Sequence, residues 1–362
     1  MISFQKRAGT SKGRAWTRQF ISIIVALLTC AAVIALLGYN PLEVYRQIFA
    51  GSLGSLYSFK EMILTMIPLS LLSLGVIFCL RIQFVNIGAE GQFYAGALAA
   101  SYLALRHPDM SAAGLLPLMF AASIAGGGLW CAIPALLKLK LDVNETLVTL
   151  MMNYIIIKII AWLQFGPWKD PTIKGYPVMP AFSDSAILPS VLGIHSGWVI
   201  ALALFAAAVI VLGRTRFGYQ LAVMGSSPQT ARYAGFKTGL LLMAATAIGG
   251  GFCGVAGFIQ ASAIENSLTY QMSNGWGFTA IAVAWLAGLR PAQALLVSAL
   301  FAILLQGCAY IQISLGIPFF MSNIIQGIIL FFVLGSDVFT NYRLVIRRTK
   351  DTQNALSERG GK

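Results

Sequence analysis

Long apolar runs follow one another along almost the whole chain, and no other feature restricts the fold as much. A helix crossing the ~30 Å hydrocarbon core of a bilayer needs about 20 predominantly apolar residues. Runs near that length occupy 19–38, 61–80, 87–105, 114–138, 144–165, 197–213, 239–262, 292–313 and 318–335, with a shorter one at 275–289. Only 10% of the residues are charged, against roughly 25% in an ordinary soluble domain. Lipid offers no partners to the backbone, so each run must satisfy its own polar groups as a helix. The expected fold is an all-α polytopic membrane protein of about ten transmembrane helices. One transmembrane domain, 19–335, lies between a basic cytoplasmic N-terminal tail, 1–18, and a basic C-terminal tail, 336–362.

The net charge of +13 sits in loops and tails, where basic residues fix orientation. With ten crossings and the N-terminus inside, most Lys and Arg are cytoplasmic; Arg46, Lys60, Arg106, Lys169 and Lys174 are outside, and Lys158 lies within a span. Both termini are then cytoplasmic, and nucleic acid is not needed as a partner. The run 275–289 covers roughly 22 Å of the core, short for a crossing. A re-entrant path there would carry the basic C-terminal tail outside, so a crossing is expected. Run 19–38 is too long for a leader's apolar region and lacks a small-x-small cleavage site, so it is expected to remain as the first span.

Several chemistries are excluded at this level. The five cysteines all fall in apolar runs without CxxC spacing and read as small buried hydrophobes. His107 and His195 stand alone in loops, so no metal site is expected. No Gly-x-x-x-x-Gly-Lys-Ser/Thr string is present to cradle nucleotide phosphates. The chain is expected to bind no cofactor of its own and to hydrolyse no ATP.

Four polar stretches interrupt this background. Arg81-Ile-Gln-Phe-Val-Asn-Ile-Gly-Ala-Glu-Gly-Gln-Phe93 places Asn86, Glu90 and Gln92 beside glycines at the start of a span. A carboxylate there is kept off lipid, and a broken helix start is tolerated only under cover of protein or water. At the start of the fifth span Glu145, Thr149 and Asn153 recur every four residues and form one stripe. That stripe faces either a polar pathway or another helix. Ser273 to Pro291 joins glycines and the aromatics Trp276 and Phe278 to a short helix, which suits either solute stacking at membrane depth or an aromatic belt. Segment 214–237 is the longest polar insertion on the inner side. Ser227 is a good N-cap, Pro228 suits the first helical position, and Gly235 can end the turn in the left-handed region. A short helix over 228–234 with Arg232 and Tyr233 exposed is predicted. Triglycines at 126–128 and 249–251, with Gly250-x-x-x-Gly254, read as close-packing surfaces.

These strings resemble the permease subunits of bacterial importers of the ATP-binding cassette class for nucleosides and simple sugars, within the branched-chain amino acid and ribose permease group. The resemblance rests on Phe-Val-Asn-Ile-Gly-Ala-Glu-Gly-Gln, Asn-Glu-x-x-x-Thr-Leu-Met-x-Asn-Tyr, Gly-x-Ser-Pro-x-x-Ala-Arg-Tyr-Ala-Gly and Gly-Trp-Gly-Phe-x-x-Ile-Ala-Val-Ala, in that order over roughly 60–335. It implies a substrate pathway near Asn86, Glu90, Gln92, Glu145, Thr149, Asn153, Trp276 and Phe278. It also implies that Ser227, Pro228, Ala231, Arg232, Tyr233, Ala234 and Gly235 couple the permease to an ATP-binding subunit. The chain departs from the pattern at Leu221, where the family often has Arg. The implied partners are that ATP-binding cassette subunit, a second permease copy or paralogue, an extracytoplasmic solute-binding protein and membrane lipid. The implied location is the bacterial cytoplasmic (inner) membrane. Nucleosides are the expected solute, with a simple sugar such as ribose or galactose as the alternative. A self-sufficient secondary transporter would explain the polar spans but would not need the capped loop at 227–235.

Overall fold

The structure is a computed structural model that describes residues 2–6, 24–25, 27–318, 323–325, 327–328, 331–332 and 342–346. The chain is helical almost throughout. Helices α1 (Leu27–Leu36) and α2 (Pro41–Leu53) meet at a 115° bend. They are followed by α3 (Leu56–Leu80), α4 (Ala89–Arg106), α5 (Ala112–Leu141) and α6 (Glu145–Phe165). A loop containing the hairpin β2 (Ser190–Val191) and β3 (Ile194–His195) leads to α7 (Gly197–Arg214), α8 (Arg216–Ser226) and α9 (Pro228–Tyr233). Then come α10 (Thr238–Gln260), prolonged by a π-turn over Ala261–Glu265, α11 (Trp276–Leu286) and α12 (Pro291–Ser314). Strand β1 (Ile2–Lys6) pairs antiparallel with β4 (Tyr342–Ile346), so both expected tails carry a strand.

Among the described residues, α3, α5, α6, α7, α10 with its π-turn, and α12 are long and apolar enough to cross a membrane, and the bent α1–α2 pair could add a seventh span. The expected run at 318–335 falls largely outside the described residues, whereas the described part of 19–38 holds α1 and the turn that follows it. Helix α11 has only 11 residues, about 16 Å of rise, so it is shorter than the predicted 275–289 and reaches across roughly half the core by itself.

Two compact units divide the chain, 49–307 and the remainder (1–48 with 308–362). In the first, α3, α4, α5 and α10 pack into one block. Small residues make this possible: a side chain at Gly127 would strike the Gly250 carbonyl, and one at Gly254 the Ser123 carbonyl. Helices in lipid gain little from burying apolar surface against each other, so close backbone approach carries the association. All five cysteines are free and buried.

The loops sort to two ends of this unit. At one end Arg81 donates from Nε to the Leu289 carbonyl (3.1 Å), and Gln83 donates from Nε2 to the Gly225 carbonyl (2.7 Å). At the other end Phe182 and Leu188 donate backbone N–H groups to the carbonyls of Asn266 and Ser262. Each end thus joins loops that lie far apart in the sequence.

Candidate translocation and coupling sites

Helix α3 ends at Leu80 with Arg81 as its C-cap, and the chain then runs without helix through Phe84 to Gly88 before α4 begins. A buried extended segment must find partners for its backbone, and α6 provides them. Thr149 Oγ1 accepts the Ile87 N–H (3.2 Å), Asn153 Nδ2 donates to the Ile87 carbonyl (2.9 Å), and Asn153 Oδ1 accepts the Gly91 N–H (2.8 Å). The stripe on α6 therefore faces this segment, one of the two placements its spacing allows. Asn86 and Gln92 exchange hydrogen bonds through their amides at 2.9 and 3.1 Å, and Asn86 Oδ1 also accepts the Gly88 N–H. All four side chains are buried.

Glu145 is placed differently. It stands at the first turn of α6, where Asn144 caps the helix by accepting from the N–H groups of Thr146 and Leu147. Its carboxylate pairs with Lys138 Nζ of α5 at 2.7 Å. The acid thus clasps the α5–α6 turn, and the Val85 backbone of the extended segment also reaches it.

Glu90 joins two helix starts. It is 4% exposed, and its Oε2 accepts the N–H of Gly277, in the first turn of α11, at 2.7 Å. The Ser273 side chain and the Gly275 backbone also reach it. A side chain at Gly277 would overlap the Glu90 backbone, so the N-termini of α4 and α11 abut. Each start carries partial positive charge, and the carboxylate lies between them. Gly275 itself precedes α11 with φ +79°, a conformation open to glycine. Trp276 is half-buried, and Phe278 is exposed at 44%.

Two further residues hold the chain leading into α11. Tyr94 donates its hydroxyl to the Tyr270 carbonyl and accepts the Ser273 N–H, while Gln164 Oε1 accepts the Tyr270 N–H. Sequence reasoning passed over both. Gln164 lies eleven positions after Asn153, three helical turns along the same face, so its spacing was a usable signal; Tyr94 offered none.

The polar insertion folds as predicted. Ser227 caps α9 by accepting the Thr230 N–H, Pro228 opens the helix, and Gly235 takes φ +78°. Phe236 N–H donates to the Ala231 carbonyl and Gly235 N–H to the Arg232 carbonyl, which closes the C-terminus in a Schellman motif. The helix stops at Tyr233, with Ala234 as its C-cap. Ala231 is buried and anchors α9 to the bundle, while Arg232, Tyr233, Ala234 and Gly235 are exposed, Tyr233 by 93%. Leu221 is wholly buried on α8. A crevice of about 350 Å³ lies beside α9, lined by Gln83, Lys138, Asp142, Pro228 and Arg232 among others. The segment at 81–93 thus touches the α8–α9 insertion at one end and α11 at the other.

Residues 58–334 match the family described as the branched-chain amino acid transport system/permease component. The chain belongs to this family. It is 29% identical over 354 residues to the glucose ABC transporter permease protein TsgB13 of Haloferax volcanii, covering 94% of this chain and 93% of that protein. The guanosine ABC transporter permease protein NupP of Bacillus subtilis is 30% identical over 321 residues, 87% of this chain and 92% of its own. The nucleoside ABC transporter permease protein NupB of Lactococcus lactis is 28% identical over 324 residues, covering 86% and 89%. No solved structure matches the chain. Family and apolar helices together make this a multi-pass permease of the cell membrane, a transport component of ABC import.

Proposed function

We propose that this permease conducts nucleosides inward and that α9 receives the stroke of a separate ATP-binding subunit. The observation carrying the reading is α9 itself: six residues, capped at both ends, holding Arg232 and Tyr233 out from the bundle. The caps satisfy the helix's own terminal backbone groups and so hold these two side chains in one exposed arrangement, as docking to a partner requires. Displacement of α9 would pass through α8 to Gln83 and Arg81, then along the extended segment to Glu90 and the start of α11. Nucleotide is held by the partner, and the permease works by alternating access with a second copy or paralogue. Solute arrives from an extracytoplasmic binding protein at the end bearing the α6–α7 loop.

The buried amides of Asn86, Gln92 and Asn153, with Thr149 and Glu90, build the wall of the pathway by fixing a broken helix start. Trp276 and Phe278 retain exposed ring surface to meet a base or a sugar. Glu145 supports the wall from the α5–α6 turn. Both termini are cytoplasmic and the crossings number ten; pairing of β1 with β4 supports this, because partners in one ribbon lie on one side of a membrane and demand an even number of crossings.

Nucleosides are preferred because a guanosine permease and a nucleoside permease are both similar to this chain over most of its length; similarity to the glucose permease favours a simple sugar as the second reading. Uptake of labelled nucleoside into energised cells with and without this chain, challenged by excess ribose or glucose, tests the assignment. Chain-dependent, ATP-dependent uptake that neither sugar suppresses is expected. Suppression by sugar would transfer the assignment to sugars, and uptake that follows an ion gradient in ATP-depleted vesicles would overturn the coupling role of α9.

A further inference from the structure

We infer that the crevice between α3 and α7 binds one acyl chain of an anionic phospholipid, with its headgroup held at Lys60. The crevice measures about 310 Å³, and its walls are almost wholly apolar, with Ile63 and Ile67 on one side and Trp198, Ala201 and Phe205 on the other. Lys60 follows the same face of α3, three residues before Ile63. Its ammonium lies at the mouth, against the tip of the β2–β3 hairpin, where a side chain at Gly193 would run into it. The Trp198 indole N–H donates to the Val191 carbonyl of that hairpin at 3.4 Å. A lysine and an indole beside an apolar slot mark the level where hydrocarbon meets headgroups.

Size and charge choose the occupant. From Lys60 to Ser70, the innermost lining residue on α3, ten residues rise about 15 Å, which is half of a ~30 Å core and so one leaflet. A second helix of the same length, about 10 Å across, would need on the order of 1,000 Å³, several times the space present. An acyl chain fits. Among the described residues the ion pairs are Arg46 with Glu43 and Lys138 with Glu145, and Lys60 belongs to neither. A phosphate monoanion without a compensating choline supplies the missing charge, whereas a zwitterionic headgroup supplies it only in part. One basic side chain at such a surface corresponds to about a fivefold preference.

The test places the purified permease in phosphatidylcholine nanodiscs doped with dibrominated phosphatidylglycerol or with dibrominated phosphatidylcholine. Quenching assigned to Trp198 is the difference between the native chain and Trp198→Phe. Half-maximal quenching is expected at an about fivefold lower fraction of the brominated phosphatidylglycerol. Lys60→Gln should bring the two lipids level, and Ala201→Phe should remove quenching by both. Equal quenching by the two lipids in the native chain would overturn the headgroup assignment. No quenching by either, as when a second protein chain covers the crevice, would overturn the site.

Discussion

Replacing Glu90 by glutamine separates two roles that its position in the sequence cannot distinguish. The carboxylate accepts from the first turn of α11 while belonging to the first turn of α4. The amide keeps one oxygen but loses the charge, and it turns N–H donors toward N–H donors. A hydrogen bond to an ionised group contributes ~1.5–3 kcal/mol against ~1 for a neutral one. A charge at a partly buried helix start contributes up to ~2 kcal/mol. Taken together, Glu90→Gln should destabilise the α4–α11 junction by about 2–3 kcal/mol. Glu90→Ala should cost about 1–3 kcal/mol more, because the Gly277 N–H is left buried without a partner. The assay pairs thermal unfolding of the purified permease with uptake kinetics. The expected result is a midpoint lowered by several degrees, a reduced maximal rate, and a KM that hardly moves. An unchanged midpoint with a KM raised tenfold would refute the reasoning, since the carboxylate would then be a solute ligand.

Reversing charge with Arg232→Glu should abolish ATP-driven uptake while membrane insertion and the thermal midpoint stay unchanged, because the side chain is exposed on α9; surviving uptake measured in vesicles would remove α9 from coupling. Gly254→Leu should prevent accumulation of folded permease, measured as the monodisperse fraction after solubilisation, since even a Cβ there would strike the Ser123 carbonyl. His195, in the loop before α7, is buried with its Nδ1 accepting the Gly197 N–H, and burial pushes its pKa down to about 4. The unfolded chain takes up that proton near pH 6.5 and the folded chain does not, so stability should be flat above pH 6.5 and fall by roughly 2–3 kcal/mol toward pH 4. Unfolding midpoints of the native chain and His195→Phe across that range check the sign, because only the native chain should show this part of the decline.

Much of this arrangement could be read from residues close together in sequence. The capped α9 depends on Ser227, Pro228 and Gly235, all within nine positions, and its geometry followed from local rules. The stripe of Thr149 and Asn153 declared a buried polar face but not its partner, because helical spacing identifies a face and leaves its neighbour open. Glu90 finds Gly277 nearly two hundred residues away, and no local pattern encodes that meeting. Glu145 was grouped with its stripe by period, yet as a first-turn residue it is free to swing back to Lys138 across the turn at Asp142, which adopts φ +51°. The length of α11 was overestimated because the apolar character of 287–289 continues past the point where Gly288 and Leu289 take positive φ and end the helix.

The glycine contacts between α5 and α10 also bear on the entropy of assembly. Glycine has no rotamers to lose when two helices meet, so their association leaves side-chain freedom at the contact untouched. In water that advantage is offset, because an unfolded glycine explores more backbone conformations than other residues and surrenders them on folding. A helix already inserted in lipid has surrendered them beforehand, since the bilayer forces its backbone to bond internally. For Gly127, Gly250 and Gly254 the backbone term therefore belongs to insertion rather than to packing. The residue that weakens a soluble helix becomes, in this setting, one whose close contacts form with almost no conformational loss.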